Sequence, residues 1–192
     1  MQEDSSKDED LLSLAKAYIK EKYDKPGNVY LGLVHRLDRP VSGVCVFART
    51  SKAAARLSKQ INDHSFKKEY TAAVIDNNLE DKGHFEDYLL KDVRTNTVTV
   101  DPKGKLAILD YEVVERKEDL AIVRIDLKTG RSHQIRVQFS SRNHPLWGDQ
   151  RYNKKAIAGQ QIALHASRIE FRHPISGELL SFTSKPDRYP FV

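Results

Sequence analysis

Residues Leu31 to Arg49 read LGLVHRLDRPVSGVCVFAR. Two apolar runs, Leu31–Val34 and Val44–Ala48, flank a charged knot, His35-Arg36-Leu37-Asp38-Arg39, and Pro40 and Ser42-Gly43 break the second half. Each run has the length and composition of a buried strand. A carboxylate wedged between two arginines beside buried strands is costly unless it is paired. The knot is therefore either a solvated cluster of salt bridges at a turn or the edge of a site.

Upstream, Asp8 to Tyr23 carries Leu11, Leu14 or Ala15, Tyr18 and Ile19 at helical spacing, and its leading carboxylates suit the positive end of a helix. Lys25-Pro26-Gly27-Asn28 ends it. Downstream, Thr50 is placed to cap a helix from Ser51 to about Asp63, with Ala54, Leu57 and Ile61 on one face. His64 to Lys68 is a polar, basic connection, and Glu69–Ile75 reads as a strand closed by Asp76-Asn77-Asn78. From Gly83 to Ile125 the pattern is mostly β. Thr97–Val100 alternates, Asp101-Pro102-Lys103-Gly104 is a turn, and Ala107–Val114 and Leu120–Leu127 form a hairpin pair. Arg131 to about Ser141 reads as a short helix with Ile135, Val137 and Phe139 partly buried; Ile162–Phe171 and Leu179–Thr183 read as strands. The expected class is α+β, a mixed and mainly antiparallel sheet with flanking helices.

The 192 residues suit one domain, 1–192, and 39% hydrophobic with 31% charged residues suits a soluble one. No apolar run approaches the ~20 residues of a membrane span, and the acidic opening MQEDSSKDED is unlike a signal or transit peptide. Cys45 is the single cysteine, which excludes a disulfide scaffold and fits a reducing, cytoplasmic setting. Its apolar run makes it a core thiol rather than a nucleophile. The net charge is +5, yet the first ten residues hold five carboxylates and one lysine. The remaining body is correspondingly more basic, which favours a polyanion such as nucleic acid.

The seven histidines are scattered and there is no cysteine pair, so no metal set is expected. His133, His144 and His165 read as hydrogen-bonded structural or RNA-contacting residues. Thr129-Gly130-Arg131 is too short for a nucleotide-binding loop, and no Gly-x-Ser-x-Gly elbow occurs. Three features remain: Asp38 in its knot, Lys67-Lys68-Glu69-Tyr70, and the donor-rich run Thr129 to Arg136. Together they can supply a carboxylate, an aromatic platform, a buried cation and phosphate contacts. That set suits an enzyme acting on a base flipped out of RNA, and equally a generic RNA-binding surface.

These residues resemble a known family. His35-Arg36-Leu37-Asp38 with Arg39-Pro40-Val41-Ser42-Gly43 is similar to the HRLDxxTSG motif of RluA-type pseudouridine synthases, and Lys68-Glu69-Tyr70 to its KxY motif. Thr129 to Arg136 matches TGRxHQIR, and Asn143 to Tyr152 resembles GHPIxGDxxY. Leu164-His165-Ala166 and Phe171-Arg172-His173-Pro174 match the closing strands.

The resemblance implies the pseudouridine synthase catalytic fold and conversion of uridine to pseudouridine in ribosomal or transfer RNA, without cofactor or metal. By position it implies that Asp38 is the catalytic aspartate, with Arg136 as the cation that keeps it ionised and Tyr70 stacked on the flipped base. Arg36 would enter the RNA at the vacated position. His35, Arg39, Lys68, Arg131 and His133 would shape the site or contact RNA, and a monomer is expected to act on the RNA. Val41 stands where the family has Thr, and Trp147 where it has an aliphatic residue. Relatives begin with a strand ending in Asn-Lys-Pro, which is absent here, and many carry an accessory RNA-binding domain. The chain thus reads as short by one or two N-terminal strands, with a sheet edge expected to be uncovered.

Two other readings compete. One is an RNA-binding or RNA-folding protein of the same fold without turnover. The other is a carboxylate-based hydrolase, which would need a second carboxylate opposite Asp38 or a metal set.

Overall fold

The computed structural model describes residues 10–192, so the acidic start of the expected first helix lies outside the described residues. The chain divides into two compact units. One takes the chain up to Arg39 with Cys45–Phe66 and Phe171–Leu180; the other takes Pro40–Val44, Lys67–Glu170 and Ser181–Val192.

In the first unit, α1 (Leu11–Lys22) starts at Asp10, whose carboxylate accepts from the N–H groups of Leu12 and Ser13. Lys20 and Lys22 sit in its last turn, where cations suit the helix dipole. The apolar runs around the knot form only two-residue strands, β1 (Gly32–Leu33) and, beyond β2 (Ser42–Gly43) of the other unit, β3 (Phe47–Ala48). β1 and β3 pair antiparallel, Gly32 with Ala48 and Leu33 with Phe47. They are shorter than expected because the next backbone donor goes elsewhere: Val46 N–H donates to His35 Nε2 at 3.0 Å. Thr50 caps α2 (Ser51–Asn62) as expected, its hydroxyl accepting from Ala53 N–H at 3.1 Å. Leu57 is the buried residue of α2, and Phe66 lies stacked on Phe171 with centroids 5.2 Å apart. The Gln60 amide gives and takes one hydrogen bond with the Arg172 backbone, 2.8 Å each.

The second unit is built on β4 (Lys67–Ile75), β5 (Lys82–Asp92), β6 (Thr97–Val100), β7 (Lys105–Lys117), β8 (Leu120–Leu127), α3 (Gln134–Ser140), β9 (Leu164–Arg172) and β10 (Leu179–Thr183). The end of β9 and the start of β10 belong to the first unit. The sheet order is β10-β9-β4-β8-β7-β5-β6, with β2 attached to β9. The β4–β8, β8–β7, β7–β5, β5–β6 and β4–β9 pairs are antiparallel, and β2–β9 is parallel. The α+β class and the mixed sheet are therefore as the sequence predicts.

β8 reads LAIVRIDL without clean alternation because both of its faces are covered. Ile125 pairs with Tyr111, which packs edge-on against Phe139 of α3 at 5.3 Å. Ile122, three residues out of phase, clusters instead with Ala73, Ala163, Trp147 and Phe191. α3 is shorter than expected at its start because His133 takes a left-handed backbone, φ 51°, and breaks the helix there. Among the described residues no helix is long and apolar enough to cross a membrane.

Candidate active site

The run Thr129 to Arg136 is held by the side chain of Gln134. Its Oε1 accepts from Thr129 Oγ1 at 2.7 Å and from Arg131 N–H at 3.0 Å, and its Nε2 donates to Ile108 O at 3.1 Å. Thr129 Oγ1 in turn accepts from Ile108 N–H. The turn is thus pinned to β7, and every residue from Gln134 to Phe139 is buried.

Arg136 enters this core as a cation. Its Nε and Nη2 donate to Oδ2 and Oδ1 of Asp149 at 2.8 and 2.7 Å. Asp149 also accepts from the N–H groups of Arg151 and Tyr152, so both of its oxygens are used. The guanidinium lies 5.1 Å from the Tyr152 ring centre. The Tyr152 hydroxyl accepts from Val98 N–H at 2.9 Å and is hydrogen-bonded to His133 Nδ1 at 2.7 Å. Burial pushes the Tyr152 hydroxyl pKa up. A cleft of about 520 Å³ opens beside Arg136, lined also by Pro40, Asp149, Arg151, Gln160 and Ile162.

The expectation placed Asp38 opposite Arg136. The carboxylate on its Nε–Nη2 edge is Asp149, thirteen residues on. A guanidinium this deeply buried needs a partner in the protein's own core, and Asp149 supplies it. Removing Arg136 therefore strands Asp149 in the core, whatever it does at Asp38. Asp149 and Tyr152 went unassigned in the sequence, although both stand in the matched run Asn143 to Tyr152.

Tyr70 is buried in β4, between Ile125 of β8 and Ala166 of β9, next to a register shift at Glu69/Tyr70. Lys68 reaches under the Thr129-Gly130-Arg131 turn: a Cβ on Gly130 would lie 2.8 Å from its Nζ. Burial first, and then Arg131 beside it, lowers the Lys68 pKa. Arg131 Nε donates to Leu106 O at 2.8 Å, which holds the guanidinium at the head of β7.

In the first unit, Leu37 is buried and Asp38 half-buried, whereas Arg36 and Arg39 are exposed. His35 closes the base of this loop through Val46 and lies 5.6 Å from the Phe66 ring. Cys45 is half-buried and its thiol is pushed up to about 11, chiefly by burial, so at neutral pH it is a protonated thiol and a poor nucleophile. The structure thus brings Lys68 against the Gly130-Arg131 turn and His133 to Arg136 through Tyr152, and holds Asp38 between a buried leucine and an exposed arginine.

A sequence profile described as RNA pseudouridylate synthase matches residues 3–141. Ribosomal large subunit pseudouridine synthase D of Zymomonas mobilis is 36% identical over 166 residues, covering 80% of this chain and 52% of that protein. The uncharacterized RNA pseudouridine synthase YhcT of Bacillus subtilis is 37% identical over 150 residues, covering 77% and 50%. The chain spans about half the length of the curated relatives it matches. Among solved structures, human RNA pseudouridylate synthase domain containing 4 matches with a TM-score of 0.78 at 19% identity, over 93% of this chain and 80% of that one. Human RNA pseudouridylate synthase domain containing 1 matches with a TM-score of 0.73 at 22% identity, over 89% and 74%. At these identities the likeness is one of fold.

Proposed function

The chain belongs to the RluA-type family of RNA pseudouridine synthases, and on that premise we propose that it isomerises uridine in RNA to pseudouridine through Asp38. The observation that carries the reading is the run His35-Arg36-Leu37-Asp38 together with a buried Arg136 whose charge is balanced inside the fold by Asp149.

A uridine in a stacked strand hides its glycosidic bond, so the base must be flipped out first. Exposed Arg36 fills the gap it leaves. Asp38 then acts as the ionised carboxylate, at the sugar C1′ or on the base, or through a glycal. The N1–C1′ bond breaks, the detached base turns, C5 bonds to C1′, the C5 proton leaves and N1 gains one. No atom is gained or lost, and no cofactor is called for. Asp149 occupies the Nε–Nη2 edge of Arg136. We assign Arg136 the role of the cation that serves the reacting carboxylate. Tyr70 gives the base a face to stack on, and its hydroxyl takes the C5 proton. Lys68, Arg131 and Arg39 supply phosphate contacts, while His35 and His133 shape the site.

Both units serve one catalytic domain, which acts as a monomer in the cytoplasm. The substrate is ribosomal or transfer RNA, and the relatives named for the ribosomal large subunit support the former. The test is pseudouridine formation in uridine-labelled cellular RNA by wild type and Asp38→Asn. Product from wild type and none from the variant, with RNA still bound, is the expected result. Product that persists in the variant removes Asp38 from the mechanism, and RNA binding without product from wild type points to a binding protein.

A further inference from the structure

The reaction needs Asp38 held at a fixed point, yet the loop that carries it has little secondary structure of its own. After Asp38 and Arg39 the chain reaches Pro40–Val44, a segment laid against β9 in the second unit. Ser42 pairs with His165 and Gly43 with Ala166, and Val44 N–H donates to Ala166 O at 2.9 Å. Gly43 has φ +113°, and a Cβ there would lie 2.2 Å from Ala166 O. Only glycine lets the two backbones come this close.

Beside this contact, Ser42 Oγ lies 2.8 Å from Nδ1 of His165, a residue 4% exposed. Nε2 of the same ring lies 3.2 Å from both the carbonyl oxygen and the hydroxyl of Ser184. Burial lowers the His165 pKa, so the ring is neutral at neutral pH, with one donor and one acceptor nitrogen. A carbonyl can only accept, so Nε2 carries the proton and Nδ1 accepts from the Ser42 hydroxyl. Ser184 is itself held by its N–H to Ser167 O at 2.9 Å.

A strand has two edges, and β9 uses both at this point. Ala166 and His165 pair with Gly43 and Ser42 on one edge, and with Tyr70 and Thr71 of β4 on the other. Gly43, Ala166 and Tyr70 form one rung across three strands about 4.8 Å apart. β2 buries no side chain: Ser42 is half-buried and Gly43 exposed. Its attachment adds little to the core of the fold, yet a buried, fully bonded histidine is committed to it.

We propose that His165 is a positioning residue for the reaction: through Ser42 it fixes the segment leaving Asp38 to β9, in register with Tyr70. The proposal rests on the reading of Asp38 as the reacting carboxylate.

The experiment compares full-length wild type, Ser42→Ala, His165→Phe, His165→Asn and Asp38→Asn. Three quantities are read: the single-turnover rate of pseudouridine formation on saturating RNA, RNA affinity, and hydrogen exchange at the Val44 amide. Ser42→Ala and His165→Phe are expected to slow turnover by up to about a hundredfold, the scale of a misplacement of about 1 Å. RNA affinity stays near wild type and Val44 exchange accelerates. His165→Asn keeps an acceptor near the Nδ1 position and recovers much of the rate. A purely structural histidine would lower rate and affinity together with the folded fraction, with no rescue by Asn, and that pattern overturns the proposal. So does unimpaired turnover in His165→Phe while Asp38→Asn is inactive, a result that leaves the role of Asp38 standing. Turnover by Asp38→Asn at the wild-type rate overturns both.

Discussion

Arg136 and Asp149 face each other edge to edge, with Nε on Oδ2 and Nη2 on Oδ1, and they are only 7% and 1% exposed. Two parallel charge-assisted bonds fix the guanidinium in plane as well as in place. Breaking such a pair costs more than the pair contributes, because the survivor is left charged in the core. Asp149→Ala and Arg136→Ala should each lose about 3–5 kcal/mol of stability in urea unfolding. The double variant Arg136→Met/Asp149→Leu should lose less than either single one and still make no pseudouridine. A double variant with full turnover would remove Arg136 from the chemistry.

His165 gives stability a pH dependence of known sign. Its folded pKa lies below the ordinary 6.5, so on acidification the unfolded chain takes up a proton that the folded chain refuses. Stability should fall as pH drops through about 6.5 and level off below the depressed folded value. His84 works the other way. Asp110 first and then Glu86 raise its folded pKa, so its contribution is present in acid and lost as pH rises, but the residue is exposed and the effect small. Urea midpoints between about pH 5 and about pH 8 should show a steeper acid slope in wild type than in His165→Asn; equal slopes would contradict a neutral, buried His165.

Much of this fold can be read along the chain, because its signals are local. Thr50 before an amphipathic run announces α2, and Asp101-Pro102-Lys103-Gly104 announces the turn into β7. What escapes is set by distant partners. Leu31–Val34 and Val44–Ala48 have the composition of strands, but His35 and Ala166 capture two of their backbone donors and leave two-residue stubs. The same holds at the site. Arg136 stands out in a donor-rich run, while its partner Asp149 sits in a loop whose composition gives no sign of burial. Ser42 and His165 are 123 residues apart, and no pattern along the chain joins them.

Tyr70 separates stacking from proton transfer. The ring lies in β4, buried between β8 and β9, and Tyr70→Phe keeps the ring and loses only the hydroxyl. RNA affinity should be close to wild type in Tyr70→Phe and fall in Tyr70→Ala, by up to the ~1–3 kcal/mol typical of a base stacked on an aromatic side chain. The rate of product formation should fall in both. Equal losses of affinity in the two variants would rule out a stacking role.

Lys68 sets RNA binding against stability. Its ammonium is largely withdrawn from water and its neighbour is another cation, Arg131; among the described residues no carboxylate forms an ion pair with it. In the free protein both burial and Arg131 work against the charge. An RNA phosphate would relieve both at once. Lys68→Met should therefore leave the free protein at least as stable as wild type while weakening RNA binding. The slope of log affinity against log salt should shrink by about 0.7–0.9 for the lost contact, with a similar change in Arg131→Gln. Thermal unfolding without RNA and binding isotherms over a salt series check the two halves separately. A variant that loses stability but keeps the wild-type salt slope would place Lys68 in the fold and not on the RNA.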